Sequence, residues 1–395
     1  MQGGGARAAV LTENRFDIDA IRSANLDIVV TNYETIRRYQ FSFGKLRVGL
    51  MILDEAQGIK NEASLQSRAA RAMNYDFGLI LTGTPIENSW RDLWTLCDFA
   101  VPGYLGSAAE FTRAYPDAED RTAVGLRLST RMEPVLMRRT RAVALRGLPP
   151  LTIDRETESM PAVQAETYLH AVRSRSKGSS RVVMLGLLQR LAAISLHPRQ
   201  QAMLHDKDDV SAWVSESART RIAWRWLDRY AAEGHAVLLF VRSRAAQPTI
   251  ARALRHWFDL AEDVPILSGE VDSEDRPEIV DRVRAGQGFR PLIISPGVGG
   301  VGWNLQFATR ALLMERPYNP AVEAQMVARI HRLGQDRDVR VGIPLATLDG
   351  RPGVTFDEKL DALLAAKTEL STTVLAPAAS GEDELLWTMG DGSGL

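Results

Sequence analysis

Six short apolar runs, each closed by small or polar residues, restrict what this chain can fold into more than any other feature. In the first half they are Leu26-Asp27-Ile28-Val29-Val30-Thr31-Asn32-Tyr33, Val48-Gly49-Leu50-Met51-Ile52-Leu53 and Leu79-Ile80-Leu81-Thr82-Gly83-Thr84-Pro85. In the second half they are Ala236-Val237-Leu238-Leu239-Phe240-Val241, Pro291-Leu292-Ile293-Ile294-Ser295 and Thr309-Arg310-Ala311-Leu312-Leu313-Met314. Segments with helical spacing lie between them, at Ser64–Met73, Ala246–Trp257 and Arg276–Arg284. That alternation predicts buried parallel strands joined by crossover helices, an α/β fold in which ligands sit beyond the carboxyl ends of the strands. Thr31, Asp54, Glu55 and Thr82 to Thr84 fall at such ends.

A chain of 395 residues exceeds one ordinary core, so two α/β domains are expected. Gly147-Leu148-Pro149-Pro150 punctuates the chain and divides it into residues 1–148 and 149–375. The first part is expected to be largely helical from Ser89 to Arg146, closed by the basic run Arg138-Arg139-Thr140-Arg141. In the second, Pro161–Leu204 reads as helical with a small, basic loop at Ser174–Arg181, and Val354–Leu370 as an amphipathic helix. Residues 376–395, rich in Ala, Gly, Ser and acids, read as a flexible tail, and Met1–Gly5 as a flexible stub without a signal pattern.

The formal net charge is -1, so no global basic field announces nucleic acid, and any such binding must come from local patches. Cys97 is the single cysteine, which excludes intrachain disulfides and thiolate zinc clusters and fits a reducing cytosol. No apolar run approaches the roughly 18 residues a membrane helix needs, so no membrane role and a cytoplasmic location are expected. High alanine and arginine usage points to a GC-rich bacterial source.

Asp54-Glu55-Ala56-Gln57 ends an apolar run, where adjacent carboxylates repel unless a cation or proton intervenes. Magnesium answers that, with Asp54 held toward the metal and Glu55 left to orient and deprotonate a water. Thr82-Gly83-Thr84 follows one helix and strand later, its hydroxyls and glycine allowing close backbone approach. Ser295-Pro296-Gly297-Val298-Gly299-Gly300-Val301-Gly302-Trp303-Asn304-Leu305 is a glycine-rich turn after a strand, suited to phosphate of a nucleotide or of a nucleic acid. Gln325–Gln335 reads as a helix carrying Gln325, Arg329 and Arg332 on one face, a guanidinium pair suited to a polyphosphate.

The order of these segments resembles the Swi/Snf-like branch of superfamily-two helicases, the double-stranded DNA translocases, from Asp27 to about Leu375. Val29–Thr35 is similar to the family's motif Ib, Asp54–Asn61 to motif II, Leu81–Asn88 to motif III, Ser295–Leu305 to motif V and Gln325–Gln335 to motif VI. Leu93-Trp94, Pro102-Gly103, Gln189-Arg190-Leu191, Leu196-His197-Pro198 and Tyr318-Asn319-Pro320 also follow its pattern. The resemblance implies two RecA-like lobes with helical protrusions, ATP and magnesium as cofactors, and double-stranded DNA as partner. It implies that Asp54 holds magnesium, that Glu55 activates the attacking water, and that Arg329 and Arg332 act as arginine fingers positioned by Gln325. It places Gly302 with the nucleotide, and Thr31, Thr82, Ser295, Gly299, Gly300 and Asn304 with the DNA backbone.

One departure matters. The family carries a phosphate loop ending in Gly-Lys-Thr or Gly-Lys-Ser on the first strand of lobe one, and residues 1–53 contain only Gly44-Lys45-Leu46. The first lobe is therefore expected to be incomplete: a fragment, or half of a split ATPase whose missing part comes from a separate chain. A catalytically inactive DNA-binding or scaffold remnant is the other reading. Val241-Arg242 also replaces the usual Ser-Gln, Ala328 replaces an acid, and Gln57 replaces histidine.

Overall fold

Parallel pairing dominates the chain, as the apolar runs require. The computed structural model describes residues 6–12, 26–83, 85–86, 89–117, 119–138, 147–174, 180–272, 274–299 and 303–373. The chain forms two compact units, one running to Val135 and the other from Leu136 to Glu369. Among the described residues, no helix is long and apolar enough to cross a membrane.

The first unit holds two parallel pairs, β1 (Ala8–Val10) with β2 (Ile28–Val30), and β3 (Arg47–Leu53) with β4 (Asn74–Ile80). β4 starts five residues before the Leu79 run that the sequence suggests, because its polar start is an outward-facing end where Arg47 pairs with Asp76 at 2.9 Å. Helix Leu65–Arg71 connects β3 to β4, and helices Trp90–Ala100, Ala108–Ala114 and Arg121–Met132 follow β4. Met51, Leu53, Ile59, Ala70 and Phe99 form a core against one face of β3 and β4. Burial on both faces is the expectation for these strands, and it is not met. Leu50, paired with Phe77, and Ile52, paired with Leu79, remain 51%, 63%, 52% and 39% exposed, because no described helix covers that face.

The second unit is a six-stranded, all-parallel sheet in the order β5-β10-β9-β6-β8-β7, with β5 Leu151–Ser159, β6 Ala236–Phe240, β7 Ile266–Leu267, β8 Arg290–Ile294, β9 Arg310–Leu313 and β10 Val339–Thr347. Alternate residues of the central strands enter two different cores, as the period-two pleat demands. Val237, Leu239, Ile293 and Leu312 pack with Trp213, Trp224, Ile250 and Leu254 of the helices on one face. Leu238, Phe240, Leu292, Ile294 and Leu313 pack with Val280, Val283, Met326 and Val327 on the other. Helices Gln247–Trp257, Arg276–Ala285 and Phe356–Thr373 agree with the predicted amphipathic segments. A two-helix insertion, Ala162–Arg173 and Arg181–Leu196, ends at Leu196, eight residues before the predicted end at Leu204. His197 breaks it by taking an extended conformation, stacking on Trp213 at 4.1 Å, and bonding through Nε2 to Trp213 O at 2.8 Å. Residues 139–146, 175–179 and 374–395, which include parts of the predicted basic run and loop and the tail, lie outside the described residues.

β5 and β10 follow no apolar-run rule. β5 alternates half-buried acids with the exposed residues Ile153, Arg155 and Thr157, and those acids are matched by arginines: Glu158 by Arg221 at 3.2 Å and by Arg225 at 2.7 Å, and Asp154 by Arg340 at 3.9 Å. β10 contains Gly342, where a Cβ would come within 2.5 Å of Trp226 Cζ3 and 2.8 Å of Leu312 Cδ2. Gly342→Ala is therefore expected to destabilise this unit by roughly 1–3 kcal/mol through overpacking, read as a lower denaturant midpoint; an unchanged midpoint would show that Trp226 can move aside.

The His197 imidazole is pushed down to about 4, chiefly by burial. Between that value and its ordinary one, the unfolded chain binds a proton that the folded chain does not. His197 therefore leaves stability intact above the unfolded pKa of about 6.5 and erodes it as pH falls. Unfolding at pH 5 should cost roughly 2 kcal/mol less than at pH 7 on this account, and His197→Asn should flatten that dependence.

Candidate active site and nucleic-acid interface

In the first unit, β2, β3 and β4 deliver Thr31, Asp54 with Glu55, and Thr82 just past their carboxyl ends. Glu55 adopts φ 48° and ψ 49°, left-handed for a side-chain-bearing residue, and enters a short 3-10 turn, Ala56–Ile59. That conformation costs energy unless its surroundings hold it. Here the Tyr33 hydroxyl donates to Asp54 O at 2.8 Å, Ala56 N donates to Leu81 O at 3.1 Å, and Asp54 Oδ1 accepts Glu55 N at 2.9 Å. Burial first, then the Asp54 and Glu55 carboxylates, push the Tyr33 phenol up to about 12, so it remains a donor at any working pH.

Gln57 links the two acidic-strand motifs. Its Nε2 donates to Glu55 Oε2 at 2.8 Å and its Oε1 accepts from Thr82 Oγ1 at 3.1 Å, a bridge that the sequence offers only as a replacement for histidine. Thr31 donates its hydroxyl to Leu11 O at 3.1 Å, so a phosphate contact through that hydroxyl requires it to rotate away. Beside Gln57, an open cleft of about 630 Å³ is lined by Lys60, Asn61, Glu62 and Arg91 but by neither Asp54 nor Glu55.

The two adjacent carboxylates form no larger ligand cluster: no group of three or more His, Cys, Asp or Glu suited to a metal occurs among the described residues. Such a pair fits magnesium, which keeps most of its waters and binds through one or two carboxylates plus phosphate, and does not fit a closed metal cage. Asp54 turns one oxygen to the Glu55 N–H, which leaves the other as the oxygen that would hold such an ion.

In the second unit, Ser295 follows β8, and its Oγ accepts from Gln247 Nε2 at 2.8 Å. Gly299 ends the short helix Pro296–Gly299. Asn304 is exposed, with its side chain accepting from Gln306 N at 3.2 Å. Gly300, Gly302 and Thr84 lie outside the described residues.

The expected Gln325–Gln335 helix is not continuous. The helix is Pro320–Ala328, capped by the Asn319 side chain on Ala321 N at 2.9 Å, and Arg329 is its C-cap. Arg329 keeps right-handed helical angles and so still follows Gln325 by one turn, whereas Arg332 lies in an exposed turn beyond. The reason is tertiary. Leu305 N takes Arg329 O at 3.1 Å, Gln335 Nε2 takes Ile330 O at 3.0 Å, and Gln306 Nε2 takes Leu333 O at 2.6 Å, so carbonyls that would extend the helix are already bonded. Gln335 is buried and its amide serves four groups: Nε2 also donates to Gln306 O at 3.0 Å, and Oε1 accepts from Asp336 N and Arg337 N at 3.2 Å each. Gln335, Gln247 and Tyr33 escape sequence reasoning, since one amide or phenol at a segment end carries no pattern.

A family model described as the SNF2-related domain matches residues 8–207, and one described as the helicase conserved C-terminal domain matches residues 223–334. The chain belongs to the SNF2-related family. Among its relatives, Zorya protein ZorD of Escherichia coli is 33% identical over 390 residues, covering 90% of this chain and 34% of ZorD. YwqA of Bacillus subtilis is 30% identical over 364 residues, covering 89% of this chain and 38% of YwqA. The chain thus spans little more than a third of the length of these curated relatives. A solved structure, the Sulfolobus solfataricus SWI2/SNF2 ATPase core in complex with dsDNA, aligns with 98% of this chain and 78% of its own at 25% identity and a TM-score of 0.45.

The left-handed Glu55 gives a test of strain at this SNF2-family site. Glu55→Gly removes the side-chain clash at positive φ and is expected to leave the unfolding free energy equal to wild type or higher by about 1 kcal/mol. A denaturation midpoint clearly below wild type would show that the bonds Glu55 makes outweigh the strain.

Proposed function

We propose that this chain is part of an ATP-dependent double-stranded DNA translocase of the Swi/Snf type, acting in the cytoplasm, in which two RecA-like lobes work on one nucleotide. The observation that carries the reading is Asp54-Glu55 at the carboxyl end of a parallel strand, held in a left-handed turn, in a chain of the SNF2-related family. On this reading Asp54 holds magnesium and Glu55 orients and deprotonates the attacking water. Arg329 and Arg332, with Gln325 behind them, meet the charge that develops on the γ-phosphate. Gly302 lies against the nucleotide, while Thr31, Thr82, Ser295, Gly299, Gly300 and Asn304 track the DNA backbone, so binding depends weakly on sequence. Bound magnesium would supply the charge that offsets the phosphates.

We further propose that the phosphate loop comes from polypeptide outside these 395 residues, either continuous with the chain or separate from it. The lack of a Gly-Lys-Thr or Gly-Lys-Ser in residues 1–53 supports this, as does the apolar face of β3 and β4 that no helix among the described residues covers, since parallel sheets are normally covered on both sides. The same lack favours a second reading, a DNA-binding scaffold that does not hydrolyse ATP.

The 395-residue chain alone is expected to bind duplex DNA with an affinity that falls steeply with salt, and to hydrolyse ATP negligibly with or without DNA. Turnover that rises on adding duplex DNA and disappears in Glu55→Gln would overturn the external loop. In a protein that carries the loop, Arg329→Ala and Arg332→Ala should each lower turnover by at least about 100-fold while changing DNA affinity little; an equal loss of both would remove the finger role, and absence of turnover in the unmutated protein would favour the scaffold.

A further inference from the structure

The three hydroxyl side chains assigned to the DNA backbone differ in what they can offer a phosphate. A phosphodiester oxygen accepts hydrogen bonds and donates none, so a hydroxyl serves it only with its proton. Thr31 donates that proton to Leu11 O at 3.1 Å, and Thr82 donates its own to Gln57 Oε1 at 3.1 Å. Ser295 stands differently. Its Oγ receives a hydrogen bond from Gln247 Nε2 at 2.8 Å, and among the described residues no acceptor takes its proton.

The direction of that bond is fixed by the second partner of the same nitrogen. Gln247 Nε2 also lies 2.8 Å from Val241 O, a carbonyl that can only accept, so the amide must present its NH₂ to both oxygens. Gln247 is buried at 3% exposure, at the start of helix Gln247–Trp257, where Ser243 O receives its backbone N–H at 3.2 Å. Ser295 itself is half-buried and tethered by its backbone N–H to Leu267 O at 3.0 Å. One lone pair of its Oγ is thus occupied from the interior, and the O–H must point elsewhere.

We infer that Gln247 is a positioning residue that sets the polarity of the Ser295 hydroxyl, turning it into an outward hydrogen-bond donor for a DNA phosphate. The inference rests on the DNA-binding reading above and adds to it a residue that never meets the DNA. It also explains why a buried amide stands at the first turn of an amphipathic helix: an apolar residue there would leave Val241 O and the inner lone pair of Ser295 Oγ without their donor and would no longer fix which way the serine proton points.

The test is a double-mutant cycle on the full chain, with affinity for a fluorescein-labelled DNA duplex read by anisotropy across a salt series. Ser295→Ala should weaken binding about 10-fold or more, the effect of one hydrogen bond to a charged acceptor, without changing the salt slope, because no charge is lost. Ser295→Thr should retain affinity. Gln247→Met should weaken binding by a similar factor, and the double variant should be no weaker than either single one. Effects that multiply in the double variant, or a Gln247→Met protein that binds as wild type while Ser295→Ala does not, would overturn the inference. If Gln247→Met does not fold, Gln247→Glu serves instead: its carboxylate accepts the serine proton, so it should reproduce the Ser295→Ala loss, and wild-type affinity would again overturn the inference. A wild-type chain that does not bind duplex DNA would instead overturn the underlying DNA-binding reading.

Discussion

The second unit depends on one buried ion pair. Arg219 meets Asp357 through Nε at 2.7 Å and through a second nitrogen, with the two side chains 5% and 0% exposed. Each partner also serves the sheet. Arg219 donates to Met314 O at 2.7 Å, just past β9, and Asp357 accepts Ala346 N from β10 at 2.7 Å. The need arises because β9 pairs with β10 only as far as Gly342 opposite Leu312, so beyond that point the two strands no longer bond each other on their shared side, although β5 and β6 still flank them on the other. A buried pair recovers its desolvation only when its remaining donors and acceptors are filled, and these backbone groups fill them. Taking one partner away would strand the other at a cost of about 3–5 kcal/mol. The pair thereby joins helix Ala218–Ala232, two strand ends and the start of the last helix.

The segment after Met314 inherits that fixed point. Glu315 is buried and accepts Ser243 N at 2.6 Å, and Arg316 is held by Glu323 at 2.7 Å and by Asp361. Arg316 thus anchors the first turn of helix Pro320–Ala328 from inside the fold, and Asn319 closes its amino end. Arg329 is reached nine residues after that start. The far end of the helix is set by bonds from Leu305, Gln306 and Gln335, so the glycine-rich turn and the two arginines are parts of one hydrogen-bonded body. A displacement of Asn304–Gln306 would therefore be passed to Arg329 and Arg332 through backbone carbonyls, which are stiffer links than side-chain packing.

This division explains what is legible in the sequence. β2, β3, β6, β8 and β9 announce themselves as apolar runs, and Asp54, Glu55, Thr82 and Ser295 can be placed at strand ends because the carboxyl-end rule is geometric. β5 cannot, because its acids are neutralised by Arg221, Arg225 and Arg340 from elements distant in sequence. β10 is hidden by Gly342 and Pro344, both of which argue against a central strand. The structure shows why they are tolerated. Arg340 N points to Thr309 O and Ala346 N to Asp357, so Pro344 lies on that same side, past the last β9 pair, where an N–H would have no strand to meet. The helix through Arg332 is over-extended from sequence for the same kind of reason: local spacing cannot register a carbonyl claimed by Leu305.

Glu55 breaks a local rule in a different sense. A left-handed glutamate is not required by the turn, since glycine would satisfy it at lower cost. Its presence means that the carboxylate itself is wanted at this position, and the bonds around it are arranged to hold the backbone and leave the acid exposed. Tyr33 fixes the preceding carbonyl and Leu81 O the following amide, and both of these bonds are made to backbone atoms rather than to the carboxylate. Gln57 reaches the carboxylate itself, and it does so as a neutral donor. The same amide is shared with Thr82, so one neutral side chain sets the Glu55 carboxylate and the Thr82 hydroxyl together, and the ends of β3 and β4 are tied through side chains as well as through Ala56 N and Leu81 O.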